Sequence, residues 1–366
     1  MGLLMEKNAK NVNIELIRII SMLMIVYHHY SVHTDWNFPK HFSNNTTLIQ
    51  NVGSMGKIGV ILFVLITGYF YSQSKVKIKK IIKLSNISRW NLILSLLITM
   101  FFINKPIELS KEDAFNILFP ISFNAYWFVT TFAIILLLSP FLNSYLNNTE
   151  RSKKLASTLV FILLLHIPVF IGIVSQTPHY FVINEILSFI YIIFLGDLIK
   201  EYKEELLTKY FKYTILTLLL SGALILSQGY LFQPYNSQKN LLIPWFFLKD
   251  INSINGLLFS VSIFIVILKI KIKNKKFILF ISPAVFDIYL LHDNAYTRPI
   301  IWNTFFNNKN SINQSESLLF IKSIFEPLLV FVVCLLLAMI RCKLLPLIKN
   351  KILIKKTTQN LATPES

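Results

Sequence analysis

Acidic residues are scarce in this chain of 366 residues: 18 Asp and Glu stand against 36 Lys and Arg, for a net charge of +18. Charge of either sign is also low, at 15% of residues, where a soluble domain carries about 25%. Cysteine is nearly absent. The two present, Cys334 inside an apolar run and Cys342 just beyond it, exclude a disulfide framework and any Cys-x-x-Cys metal site. There is no Walker loop, no dinucleotide-binding glycine fingerprint, no metal constellation of suitable spacing and no solenoid repeat. No small-residue cleavage motif follows the first apolar run, which also carries Arg18 and the pair His28–His29, so that run is expected to be a retained helix.

What the chain has instead is apolar surface, at 54% of residues. Ten runs are long enough to cross a hydrocarbon core of about 30 Å as helices. They lie at roughly 14–31, 57–73, 89–104, 125–143, 156–175, 182–199, 213–232, 253–270, 277–293 and 318–340. The eighth is ambiguous because Ile243–Leu248 is apolar too and suits an interfacial or re-entrant segment. The expected fold is therefore all-α, a polytopic membrane bundle of about ten transmembrane helices. Its partner is the lipid bilayer.

The cations are unevenly placed. With the N-terminus inside, 26 of the 36 fall in inner loops and tails and nine in outer loops, which under the positive-inside rule puts both termini in the cytoplasm. Short clusters between apolar runs are loop signals, and nucleic acid is not expected as a partner. The organisation that follows is an N-terminal tail over 1–13, a membrane domain over 14–345 and a C-terminal tail over 346–366. Loops are short, the longest being about 25 residues around Val32–Gly56.

Chemistry must then come from the helices and the outer loops. Arg18 and His29 share the first run, and ionisable groups at membrane depth are functional candidates. They are eleven positions apart, which at about 100° per residue returns to nearly the same face, roughly 16 Å further along. His28 points about 100° away, so the neighbours are not expected to share a role. Two readings of the stripe fit the geometry. In one it is a site. In the other Arg18 snorkels to the inner headgroups with Glu15 as partner and His29 anchors the outer end.

An arginine, ten residues and a histidine in the first helix of a ten-helix protein resemble the signature of the acyltransferase-3 family of membrane O-acyltransferases. Phe63–Phe70 with its Thr67-Gly68-Tyr69, Tyr126-Trp127-Phe128 followed by Ser139–Asn143, and Ile288–His292 resemble the family's second, fourth and late helices. The sequence His292-Asp293-Asn294 followed by Arg298 and Trp302 is most similar to branches that acetylate capsule or exopolysaccharide repeats. The resemblance implies acetyl-CoA or another acyl-CoA as donor, no bound cofactor, and a hydroxyl of a surface or lipid-linked polysaccharide as acceptor, in a bacterial cytoplasmic membrane. Association with glycan-assembly proteins, or with a second copy, is compatible with it.

Acyl transfer needs a general base, a polarised carbonyl and a grip on a polyanionic donor. His29 suits the base because imidazole titrates near neutrality, and Arg18 suits the donor phosphates or the acyl group. His292, near the outer end of the ninth run, is placed to face His29, and its other reading is an interfacial histidine with Asn294 as a turn residue. Tyr126 and Trp127 are candidates for stacking on a sugar or for the aromatic belt; Arg298 and Asn294 complete the acceptor candidates. Lys79, Lys80 and Lys83 are expected at the donor. There the chain departs from the Arg-x-x-Arg pair of many family members, since its first inner loop reads Lys77-Ile78-Lys79-Lys80 with a single Arg89, and lysine lacks arginine's bidentate fork. Asp287 is an orienting candidate, and His166 reads as a packed histidine with one hydrogen bond. The other class of function that fits is a glycan transporter using the same polar interior as a path.

Overall fold

The computed structural model describes residues 11–39, 41–73, 78–103, 108–175, 184–238 and 251–344. Among them there is no strand. The helices are α1 (Val12–His33), α2 (Asn44–Tyr71), α3 (Ile78–Ile103), α4 (Lys111–Leu118), α5 (Trp127–Leu137), α6 (Ser139–Asn148), α7 (Arg151–Ser175), α8 (Asn184–Glu201), α9 (Lys203–Leu207), α10 (Phe211–Gln238), α11 (Ile254–Lys269), α12 (Lys275–Ile281), α13 (Val285–His292), α14 (Thr297–Pro299) and α15 (Glu316–Met339). Among the described residues, each of the ten expected runs lies largely on helix. Five helices are long and apolar enough to cross a membrane, or up to seven if each of two bent pairs counts as one span. Apart from 11–13, the expected tails lie outside the described residues, as does Ile243–Leu248.

The fold is organised around α1 and α2, which pack along each other. α1 starts on Asn11, whose side chain accepts from the backbone N–H groups of Asn13 at 3.1 Å and Ile14 at 3.5 Å, satisfying donors that a helix start leaves orphaned. α2 is nearly all buried and packs on α8 through two glycines. A Cβ on Gly196 would lie 2.6 Å from the carbonyl oxygen of Leu65, and one on Gly68 would collide with the backbone of Ile193. Only residues without a side chain let these backbones approach so closely, as at other small-residue crossings in membranes.

Two expectations change. The long loop expected around Val32–Gly56 is mostly helix, because α2 begins at Asn44 and extends beyond the apolar run. Polar residues there hid the helix from a reading based on apolar runs. They are buried under the segment that precedes α15: Asn45 Nδ2 donates to the carbonyls of Ile312 at 2.9 Å and Gln314 at 2.8 Å. The run at 125–143 is not one straight span either. It bends by 60° between α5 and α6, where Pro140, at the start of α6, cannot donate a backbone hydrogen bond and crowds the preceding turn. A second break, of 86°, separates Lys275–His292 from Thr297–Phe305. That break turns the chain at Asp293 and Asn294.

Asp287, inside α13, pairs with Arg341 beyond α15 and accepts from Asn91 Nδ2 of α3 at 2.9 Å. The carboxylate thus orients an arginine and ties α13 to two neighbours. His166 behaves as expected, with Nε2 3.0 Å from the Tyr191 hydroxyl. α4 opens with a capping box in which Ser110 and Asp113 satisfy each other's backbone N–H. The Ser110 hydroxyl bond holds the Asp113 carboxyl below the usual carboxylate range.

Candidate active site

α1 carries its polar residues inward. Glu15, Arg18, Ser21 and His29 are all buried, which in a membrane helix requires that each find a partner inside the bundle. Arg18 is only 3% exposed and pairs with Glu15 one turn earlier. It therefore does not snorkel to the headgroups. Its Nε and Glu15 Oε1 have no hydrogen-bond partner among the described residues.

At the other end of α1, His29 meets His292 of α13. His29 Nδ1 lies 2.8 Å from His292 Nε2, and His292 Nδ1 lies 2.6 Å from the carbonyl oxygen of Ile288. A carbonyl can only accept, so His292 carries its proton on Nδ1. Neutral imidazole has one N–H, which leaves His292 Nε2 as an acceptor, and the hydrogen between the two rings belongs to His29 Nδ1. The lone pair of His29 is therefore on Nε2.

That nitrogen faces a carboxylate. Asp293 Oδ2 is 3.5 Å from His29 Nε2; with no proton on that nitrogen the neutral ring gives it no hydrogen bond, and the carboxylate is placed to receive the N–H of an imidazolium. The other oxygen, Oδ1, is occupied by Arg298, with Nη2 at 2.6 Å and Nε at 2.9 Å, and by His33 Nε2 at 3.3 Å. His33 stands one turn above His29 on the same face of α1. The loop after the break is fixed by Asn294, whose Nδ2 donates to Ser95 Oγ at 2.8 Å and Leu290 O at 2.8 Å, while its Oδ1 accepts from the N–H groups of Tyr296 and Thr297.

The site opens into a cavity of about 110 Å³. Met22, Ile25, His28 and His29 of α1, Gly56, Lys57, Val60 and Phe63 of α2, Trp127 and Phe128 of α5, and Phe286 and Tyr289 of α13 form its wall. His28 is not remote from it: its Nδ1 bonds the Gly53 carbonyl, and its ring borders the same cavity as His29 with centroids 5.4 Å apart. The two side chains leave the helix about 100° apart, yet α2 presses so close that both rings meet one space. Gly56 makes that approach possible, since a Cβ there would collide with the His28 ring.

The chain matches the family model described as an acyltransferase domain, of the acyltransferase-3 type, over residues 11–342. The chain belongs to the acyltransferase-3 family. It is accordingly a membrane acyltransferase by family, and its site residues sort as follows. Of the acyltransferase-3 positions named from sequence, His29 and His292 meet, Trp127 walls the cavity, and Arg18 lies one turn before Met22 on α1, outside the cavity wall. Tyr126, Asn294 and Arg298 do not line it. Tyr126 is buried and its hydroxyl donates to Leu290 O at 2.8 Å, Asn294 is spent on the turn, and Arg298 holds Asp293, so all three support the site from behind. Lys79, Lys80 and Lys83 lie in the first turns of α3, outside the cavity wall, Lys79 and Lys83 exposed and Lys80 partly buried. Neither a curated protein nor a solved structure matches the chain.

Sequence reasoning missed His33 and Lys57, and it named Asp293 within a motif without giving it a role. His29, His33 and Asp293 present ligand atoms within 4.8 Å of one another and so could hold a metal ion, a grouping that apolar-run reading overlooks because Asp293 comes from a distant helix. The i,i+4 spacing of His29 and His33 was the available signal. The same group is also complete as a charge-balanced cluster, because Arg298 neutralises Asp293 and His292 holds His29 Nδ1.

Proposed function

We propose that this membrane acyltransferase moves an acetyl or other acyl group from acyl-CoA to a hydroxyl of a surface or lipid-linked polysaccharide, with His29 Nε2 as the general base. One observation carries the assignment of the base: the chain Ile288 O, His292, His29 fixes the tautomer so that the lone pair stands at Nε2. His29 takes the acceptor hydroxyl's proton there, and Asp293 faces the imidazolium that results. This division of labour, an imidazole oriented on one nitrogen and reactive on the other, is how histidine bases work in unrelated hydrolases.

The donor enters from the cytoplasmic side, where Lys79, Lys80 and Lys83 attract its phosphates, and Arg18 positions it at the deep end of the stripe. The rise of α1 from Arg18 to His29 is roughly 16 Å, a span suited to the extended arm of a CoA thioester. The acceptor approaches from the outer side, and Trp127, at the cavity wall and 37% exposed, offers its ring face to a sugar. The polysaccharide as acceptor rests on the motif resemblance of His292-Asp293-Asn294 and Arg298. The ten-helix arrangement in a bacterial cytoplasmic membrane with both termini inside belongs to the same reading.

The test is NMR of surface polysaccharide from cells with and without the protein. Loss of the O-acyl signal with polymer amount unchanged supports the enzyme. Loss of the exported polymer itself contradicts it and supports a transporter.

A further inference from the structure

α2 is a helix of 28 residues with a single charged side chain, Lys57. An ammonium at such a position is costly unless something anionic faces it. Among the described residues Lys57 makes no hydrogen bond and no ion pair. It is partly buried, it belongs to the wall of the cavity that holds His29, and it follows Gly56, whose backbone lies against the His28 ring. Lys57 is therefore at the depth of the base, on the facing helix, with its charge uncompensated.

The other cation on the stripe is differently placed. Arg18 is paired with Glu15 and is not part of the cavity wall. Arg298, above the site, is committed to Asp293. Of the cations near the base among the described residues, Lys57 is the one whose charge is left for a ligand in the cavity. Resting on the reading of the site as an acyltransferase, we propose that Lys57 is a catalytic residue whose ammonium binds the oxygen of the donor's thioester carbonyl and stabilises the negative charge that develops on it.

The step balances without another reactant. The acceptor hydroxyl oxygen bonds to the carbonyl carbon as its proton passes to His29 Nε2, and the C=O π pair moves to the oxygen facing Lys57. The carbonyl then re-forms, the C–S bond breaks, and the CoA thiolate takes the proton from His29, leaving an ester and a free thiol. A preorganised positive charge in a water-poor site acts on the transition state more than on the bound substrate, so its removal lowers kcat rather than raising KM.

The experiment measures acyl transfer from labelled acetyl-CoA in membrane vesicles, with kcat and both KM values, for wild type, Lys57→Met, Lys57→Gln and Lys57→Arg at matched insertion levels. The expected result is a loss in kcat of about 10²–10³-fold for the two neutral variants with both KM values near wild type, and partial recovery in Lys57→Arg. Should Lys57→Met fail to insert, Lys57→Gln carries the same reading. A wild-type kcat in the neutral variants overturns the proposal, as does a raised KM for the acceptor with kcat unchanged, which assigns Lys57 to an acceptor anion. If the wild-type protein itself transfers no acyl group, the proposed function fails, an outcome distinct from failure of Lys57 alone.

Discussion

His29 and His292 are joined ring to ring, Nδ1 to Nε2 at 2.8 Å, and the far nitrogen of His292 is anchored on the Ile288 carbonyl. The pair works as a unit, so its members should not contribute independently. His292→Ala is expected to lower acyl transfer by at least about 10-fold, and the double variant with His29→Ala should be no slower than His29→Ala alone, as for residues that act together. Multiplicative losses, measured as initial rates in vesicles, would separate His292 from the base.

Arg18 and Glu15 neutralise each other in the interior. Breaking one side of a buried pair commonly costs about 3–5 kcal/mol, whereas replacing both partners by apolar groups is often neutral. Glu15→Gln should therefore reduce the thermal stability of the purified protein, and Glu15→Leu with Arg18→Leu should restore it without restoring activity. Recovery of activity in the double variant would confine Arg18 to a structural role.

The α2–α8 crossing depends on Gly68 and Gly196, because the atoms a Cβ would meet are backbone atoms and cannot rotate away. Gly68→Ala and Gly196→Ala are each expected to cost about 1–3 kcal/mol as overpacking, read as a lower melting temperature in detergent. Gly222→Ala is the control, since its nearest neighbour is the flexible Phe259 ring at 3.2 Å. Equal melting temperatures in all three would remove the close crossing from the account.

Neutralising Lys79, Lys80 and Lys83 together should raise KM for acyl-CoA and flatten its salt dependence, since charges in contact with solvent are screened over about 10 Å at 0.1 M salt. Topology is tested in the same membranes, in a background lacking Cys334 and Cys342. A cysteine at Asn307 should react with an impermeant reagent from outside, and one at Lys153 should be protected. Unaltered donor kinetics in a correctly inserted triple variant would leave these lysines with topology alone.

Much of the site was legible in one helix. Arg18 and His29 share a stripe because helical periodicity is local, and His292 could be placed from the order of runs. What periodicity could not reveal is which side chains from separate helices converge. Asp293 reaches His29 only because the chain breaks by 86° after α13, and Lys57 reaches the cavity only because α2 starts well before its apolar run and lies tight on α1 through Gly56. His28 shows the same limit from the other side. Its angle on α1 separates it from His29, and the closeness of α2 brings it back. Residues such as Tyr126 and Asn294 have the chemistry of ligands but spend it on the backbone, which composition cannot distinguish.

The central claim is that His29 Nε2 accepts the acceptor's proton during acyl transfer. The most direct measurement is the initial rate of labelled acetyl transfer from acetyl-CoA to the acceptor glycan in vesicles carrying wild type or His29→Ala at equal, correctly inserted levels. The account predicts a loss of at least about 10²-fold in kcat with little change in KM for acetyl-CoA. A His29→Ala protein that transfers acetyl at the wild-type rate would contradict it.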